Sequence, residues 1–81
     1  LLYPNPAVTK TAVQFFPAVN SLKAIQLSDA KGRIVLSYQY KPGQSLNVQE
    51  ISLALLPAGI YFLKIEYTDK SITEKLIKMP Q

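Results

Sequence analysis

The sequence has 81 residues, nine Lys and Arg against five Asp and Glu for a net charge of +4, and neither cysteine nor histidine. That length fits one domain with a modest core, burying roughly 60 to 65% of the surface its unfolded chain exposes. Without cysteine there is no disulfide or thiolate chemistry, and without histidine the commonest general base and the commonest zinc ligand are both missing.

In chain order, Leu1-Leu2-Tyr3 is a short apolar run followed by Pro4-Asn5-Pro6. Two prolines one residue apart fix their own φ and push Tyr3 and Asn5 toward extended backbone. This suits a first edge strand that packs Tyr3. Thr11 to Phe16 reads as a strand with Val13 and Phe15 on its apolar side, stopped by Pro17. Leu22 to Ser28 alternates again through Ile25 and Leu27. Asp29-Ala30-Lys31-Gly32 is a turn, because Asp bonds its own downstream backbone and Gly accepts positive φ. The return arm, Ile34 to Tyr40, puts Ile34, Leu36, Tyr38 and Tyr40 on one face and Val35, Ser37 and Gln39 on the other. Lys41-Pro42-Gly43-Gln44 closes it with a Pro-Gly pair.

From Ser45 to Leu56 two patterns compete. Leu46-Asn47-Val48 suits a short strand, while Asn47 followed by Glu50, with Val48, Ile51 and Leu55 at helical spacing, suits about one helical turn. We expect the strand and then the turn. The stretch Leu55 to Glu66 breaks at Pro57 and Gly59, then alternates: Tyr61, Leu63, Ile65 and Tyr67 share an apolar face, with Lys64 and Glu66 opposite. Ile60 and Phe62 interrupt the polar side, which predicts a central strand partly covered on both faces. Thr68-Asp69-Lys70 is a turn, Ser71 to Ile77 the last strand, and Lys78-Met79-Pro80-Gln81 the end.

About seven short strands with regularly spaced turns predict an all-β fold, a small antiparallel β-sandwich. Its core draws on Val13, Phe15, Ile25, Leu27, Ile34, Leu36, Tyr61, Leu63, Ile65 and Leu76. The acids Asp29, Glu50, Glu66, Asp69 and Glu74 fall mostly in turns or on wet faces, which excludes a paired-carboxylate site. Gly32, Gly43 and Gly59 are scattered and form no phosphate loop. Arg33, Tyr38, Tyr40 and Lys41 are the best basic-aromatic patch, but the tyrosines keep register with Ile34 and read as sheet-face residues, so no nucleic acid is expected. No apolar run reaches the roughly 18 residues of a membrane span. The chain starts with Leu, and we expect it to be one domain of a longer protein. The residues alone point to a small binding or structural module.

Four motifs occur together in a fixed order: Tyr3-Pro4-Asn5-Pro6, Asp29-x-x-Gly32-Arg33, Pro57-x-Gly59-Ile60-Tyr61-Phe62, and Lys75-x-x-Lys78. Together they resemble the type IX secretion system C-terminal sorting domain, type A, the Por secretion tail. The resemblance spans essentially the whole chain. It implies an immunoglobulin-like antiparallel sandwich, no enzymatic activity, no cofactor, and a role in carrying a secreted or surface protein out of the periplasm. It also implies an outer-membrane translocon and its shuttle protein as partners, a sortase-like protease cutting upstream of the domain, and cargo that can be attached to an anionic lipopolysaccharide. Two features depart from the family pattern. Glu50 to Leu55 resembles an insertion, and Met79-Pro80-Gln81 extends beyond the last lysine.

On this reading the translocon-recognition residues are Lys75, Leu76, Ile77 and Lys78, where Lys75 and Lys78 fall on opposite strand faces. Tyr3, Pro4, Asn5, Pro6, Asp29, Gly32, Arg33, Gly59, Ile60 and Tyr61 are family-motif residues expected to build the fold. Recognition by strand addition to the last strand is the expected mechanism, and the same edge could pair with a second copy. The rival reading is a carbohydrate-binding or spacer module, for which Tyr38, Tyr40 and Tyr67 would have to be exposed.

Overall fold

A computed structural model describes residues 2–80; Leu1 and Gln81, where the expected first strand begins and the expected tail ends, lie outside the described residues. Seven strands form: β1 (Leu2–Tyr3), β2 (Lys10–Val19), β3 (Leu22–Asp29), β4 (Ile34–Gln39), β5 (Leu46–Ser52), β6 (Gly59–Tyr67) and β7 (Ser71–Lys78). They make two antiparallel sheets, one of three strands in the order β1-β2-β5 and one of four in the order β4-β3-β6-β7. This is the expected all-β sandwich, with the three-plus-four division of immunoglobulin-like domains.

The alternation of β6 fixes the four-stranded sheet. Ile25 pairs with Ile65 and Leu27 with Leu63 across β3 and β6, and Tyr61 pairs with Leu76 across β6 and β7. Their shared face is buried against Val13, Phe15, Ile51 and Leu53 from the other side. Each fully buried Leu or Ile contributes about 1.5–3 kcal/mol relative to exposure, so this interdigitated layer is the main stabilising term. Phe15 meets Tyr67 edge-to-face, with ring centroids 6.4 Å apart. β6 is internal in its sheet, as expected.

Several expectations are corrected. β2 does not stop at Pro17 but runs to Val19, absorbing the proline in an irregular stretch between Gln14 and Val19 where no regular ladder is needed. The pairing of β3 with β4 shifts register between Leu27 and Ser28, so Ile34 opposes Ser28 and is 55% exposed, while Val35 packs on the core in its place. Tyr3 is also exposed, and Leu2 is the residue of β1 that packs. The face carrying Ile60 and Phe62 is open, for these are 43% and 40% exposed.

The expected helical turn after Val48 is absent. β5 continues through Glu50 to Ser52 beside β2, with Ile51 opposite Thr11. Leu53 then donates its N–H to the Thr9 carbonyl at 2.8 Å. A lone helical turn fixes several dihedrals for little return, whereas extension buries both Ile51 and Leu53. Helical spacing was misleading here because Val48 and Leu55 are exposed. The apparent insertion is thus the end of β5 plus a turn closed by the Leu56 N–H on the Leu53 carbonyl at 3.0 Å.

Candidate recognition site

The opening segment and the last strand are joined. After β1 the chain leaves the three-stranded sheet at Pro4, whose carbonyl accepts the hydroxyl of buried Thr11 at 2.7 Å. It then runs along the free edge of β7. There the Asn5 carboxamide does what a neighbouring strand would: its Nδ2 donates to the Lys75 carbonyl at 2.8 Å, and its Oδ1 accepts from the Ile77 N–H at 3.1 Å. Ala7 continues the pairing in parallel, donating to the Ile77 carbonyl at 2.9 Å and accepting from the Met79 N–H at 2.7 Å. A segment flanked by two prolines has few donors of its own, so an asparagine side chain supplies what the backbone lacks.

β7 alternates sharply. Leu76 and Lys78 face inward, and Lys75 and Ile77 outward. Leu76 is part of the core, and Lys78 is only 5% exposed, lying between Gly59 and Ala7. Long basic side chains bury their methylene stems while keeping the ammonium wet, and among the described residues no buried side-chain nitrogen or oxygen lacks a partner. Of the four residues singled out on this strand, Lys75 and Ile77 therefore turn their side chains outward, while Leu76 and the stem of Lys78 hold the strand in place.

The other motif residues converge at one end of the sandwich. Asp29 accepts the N–H groups of Lys31 and Arg33 on Oδ1, at 3.0 and 2.9 Å, and the Arg33 Nε on Oδ2 at 3.1 Å. These bonds, led by the Arg33 N–H, hold the Asp29 carboxyl below its ordinary value of 3.8. Gly32 turns the chain at φ +86°, a conformation costly for residues with a Cβ. Facing this turn, Gly59 opens β6 and the Tyr61 hydroxyl donates to the Pro57 carbonyl, fastening the 57–61 stretch. The Asp29 turn and residues 56–61 together line a cleft of about 260 Å³.

The sequence match agrees with this geometry. Residues 1–79 match the family described as Secretion system C-terminal sorting domain. The chain belongs to that family. It is a C-terminal sorting signal for type IX secretion, it acts with that secretion system, and proteins bearing such domains are secreted or attached to the cell surface. A search of curated proteins returned no match. No helix among the described residues is long and apolar enough to cross a membrane.

The sorting domain does not expose the three tyrosines that the sugar-binding reading requires. Tyr38, Tyr40 and Tyr67 are half-buried and pack on the core. Burial also raises the Tyr40 hydroxyl to about 12, with nearby Tyr38 adding to the shift, and that hydroxyl donates to Gln49 Oε1 at 2.7 Å. Period-two spacing from Leu76 would have shown Lys78 facing inward. The Asn5 bonds to β7 had no such signal, because one residue pairing across the whole chain leaves no periodicity.

Proposed function

We propose that the secretion machinery reads this domain as a folded unit, in which the Tyr3-Pro4-Asn5-Pro6 segment and β7 form one docked element, and not as a linear C-terminal peptide. The observation that carries this reading is the set of four hydrogen bonds from Asn5 and Ala7 to Lys75, Ile77 and Met79. They close the C-terminal half of the β7 edge. Strand addition is thereby confined to the stretch from Ser71 to Glu74, whose outer edge has no strand partner among the described residues; farther along, a partner meets the side chains of Lys75 and Ile77.

In this account the 81 residues follow a cargo as a single domain. The outer-membrane translocon and its shuttle protein bind the folded domain, and a sortase-like protease cuts upstream of the domain, releasing the cargo or passing it to a surface lipopolysaccharide. The domain itself performs no catalysis. A second copy could pair along the same free stretch of β7, or along β1, β4 or β5, the other edge strands of the two sheets.

The test is export. Residues 1–81 are fused behind a periplasmic reporter in a host with a type IX system, and reporter is measured at the surface and in the medium. Delivery there is expected, and retention in the periplasm contradicts the sorting role. A version lacking Lys75 to Gln81 should be retained; normal export of that version contradicts the role of β7.

A further inference from the structure

The outer face of the four-stranded sheet is divided along its length. At the end bearing the Asp29 turn, Ile60 lies beside Ile77, and in the next row Ile34, Ser28, Phe62 and Lys75 follow one another across all four strands. Farther along, the rows are mainly polar: Ser37, Gln26, Lys64 and Thr73, then Gln39, Glu66 and Ser71 around the buried Ala24. Ile34, Ile60 and Phe62 are exposed, and Ile77 is half-buried. A sheet face that only meets water needs no such zoning, since scattered apolar residues are ordinary but grouped ones rimmed by polar groups mark contact surfaces.

Charge sets the rim. Lys75 closes the apolar row on one side, and Lys31 and Arg33 lie in the turn that leads into Ile34 on the other. Asp29 in this turn is held by Arg33, whose side chain remains 78% exposed. The cleft between this turn and residues 56–61 opens beside Ile60, with Leu56 and Tyr61 in its walls. An apolar patch with a pocket for an anchoring side chain and a basic rim of Lys31, Arg33 and Lys75, of which Arg33 is paired with Asp29, has the anatomy of a protein interface, with a dry centre and a polar edge.

We propose that this end of the outer sheet face, centred on Ile60 and Phe62 and rimmed by Lys31, Arg33 and Lys75, is a docking surface for a protein whose own contact patch has an apolar centre surrounded by carboxylates. The inference rests on the sorting role and assigns the surface through which it is exercised. Binding here leaves the β7 edge and its Asn5 bonds intact, because the contacts come from side chains on the sheet face.

The reporter fusion of residues 1–81 is the baseline, and its failure to export contradicts the sorting role itself. With that baseline established, Ile60→Ser/Phe62→Ser and Lys31→Glu/Lys75→Glu are compared with Lys64→Ser/Gln26→Ala from the polar rows, with folding checked by circular dichroism. The first two are expected to lower export about tenfold, the scale of losing a central interface contact, and the third to leave it unchanged. Export of Lys31→Glu/Lys75→Glu at the level of the unsubstituted fusion overturns the proposal, and this variant covers the case in which the serine pair fails to fold. Two further measurements separate other occupants. Binding of the unsubstituted domain to equimolar phosphatidylcholine–phosphatidylglycerol vesicles that is lost with Phe62→Ser overturns the proposal in favour of a lipid surface. A dimer in sedimentation that is lost with Phe62→Ser overturns it in favour of a second copy.

Discussion

Asn5 and Lys75, seventy positions apart, are joined by a 2.8 Å hydrogen bond from the Asn5 carboxamide to the Lys75 carbonyl, and the same carboxamide accepts from Ile77 two residues on. One side chain thereby substitutes for a length of strand, and it ties the segment after β1 to the last strand. Asn5→Ala removes both bonds at an edge that water can reach. The cost should be about 1–2 kcal/mol at the usual net value per hydrogen bond, which lowers Tm by roughly 4–16 °C in a domain this size. Amide exchange should show the Ile77 N–H losing protection, while the Leu63 N–H in the core keeps it. Asn5→Asp keeps the acceptor for Ile77 but sets a carboxylate against the Lys75 carbonyl, so it should not restore the loss.

The Asp29 turn predicts a pH dependence. Its carboxyl is held below the ordinary value of 3.8, chiefly by the Arg33 N–H. A depressed folded-state pKa contributes stability that is fully present above the unfolded value and is lost as pH falls through the folded one. Thermal melts of the natural protein and Asp29→Asn should therefore differ most at neutral pH and converge in acid, below the ordinary carboxylate range. A difference that grows as pH falls would contradict the turn geometry.

At the alkaline end the sign reverses in origin but not in logic. Burial, with the help of Tyr38, raises Tyr40 to about 12, and burial also raises Tyr67. The folded state thus favours the neutral phenols, and stability present below the ordinary value of 10 is lost as pH rises toward 12. Absorbance titration near the tyrosinate band should show a late-ionising class of phenol, and Tyr40→Phe should remove its most alkaline member.

Gly32 and the central layer test the frame. Gly32→Ala should destabilise by about 1–2 kcal/mol, because open space around the position does not relieve the positive φ. Leu63→Ala, at a fully buried position between Leu27 and Glu74 of the neighbouring strands, should cost about 2–5 kcal/mol. In a domain of marginal size that is enough to populate the unfolded state strongly at 37 °C.

Much of this was legible in the residues. Alternation in Tyr61, Leu63 and Ile65 identified the internal strand, and the Asp29 and Pro-Gly turns set the hairpins, because turn chemistry and period-two burial are local rules. Ile34 escaped because a single register shift beside Ser28 turned it outward, and no local pattern records a bulge. Ile51 and Leu53 escaped because a helical spacing coincided with a strand, and only pairing with β2 decides between them. At the candidate site, the alternation around Leu76 and Lys78 was readable, whereas the Asn5 bonds to β7 and the meeting of the Asp29 turn with residues 56–61 are products of tertiary closure.

The central claim is that the folded domain, not its terminal peptide, is the sorting signal. Its most direct test compares the export of a periplasmic reporter carrying residues 1–81, the same fusion with Leu63→Ala and Leu27→Ala together, and a fusion carrying residues 71–81 alone. The first should reach the surface or medium, while the other two, which retain Lys75 and Lys78 but lack the folded platform, should stay in the periplasm. Export of the 71–81 fusion at the level of the whole domain would contradict the account.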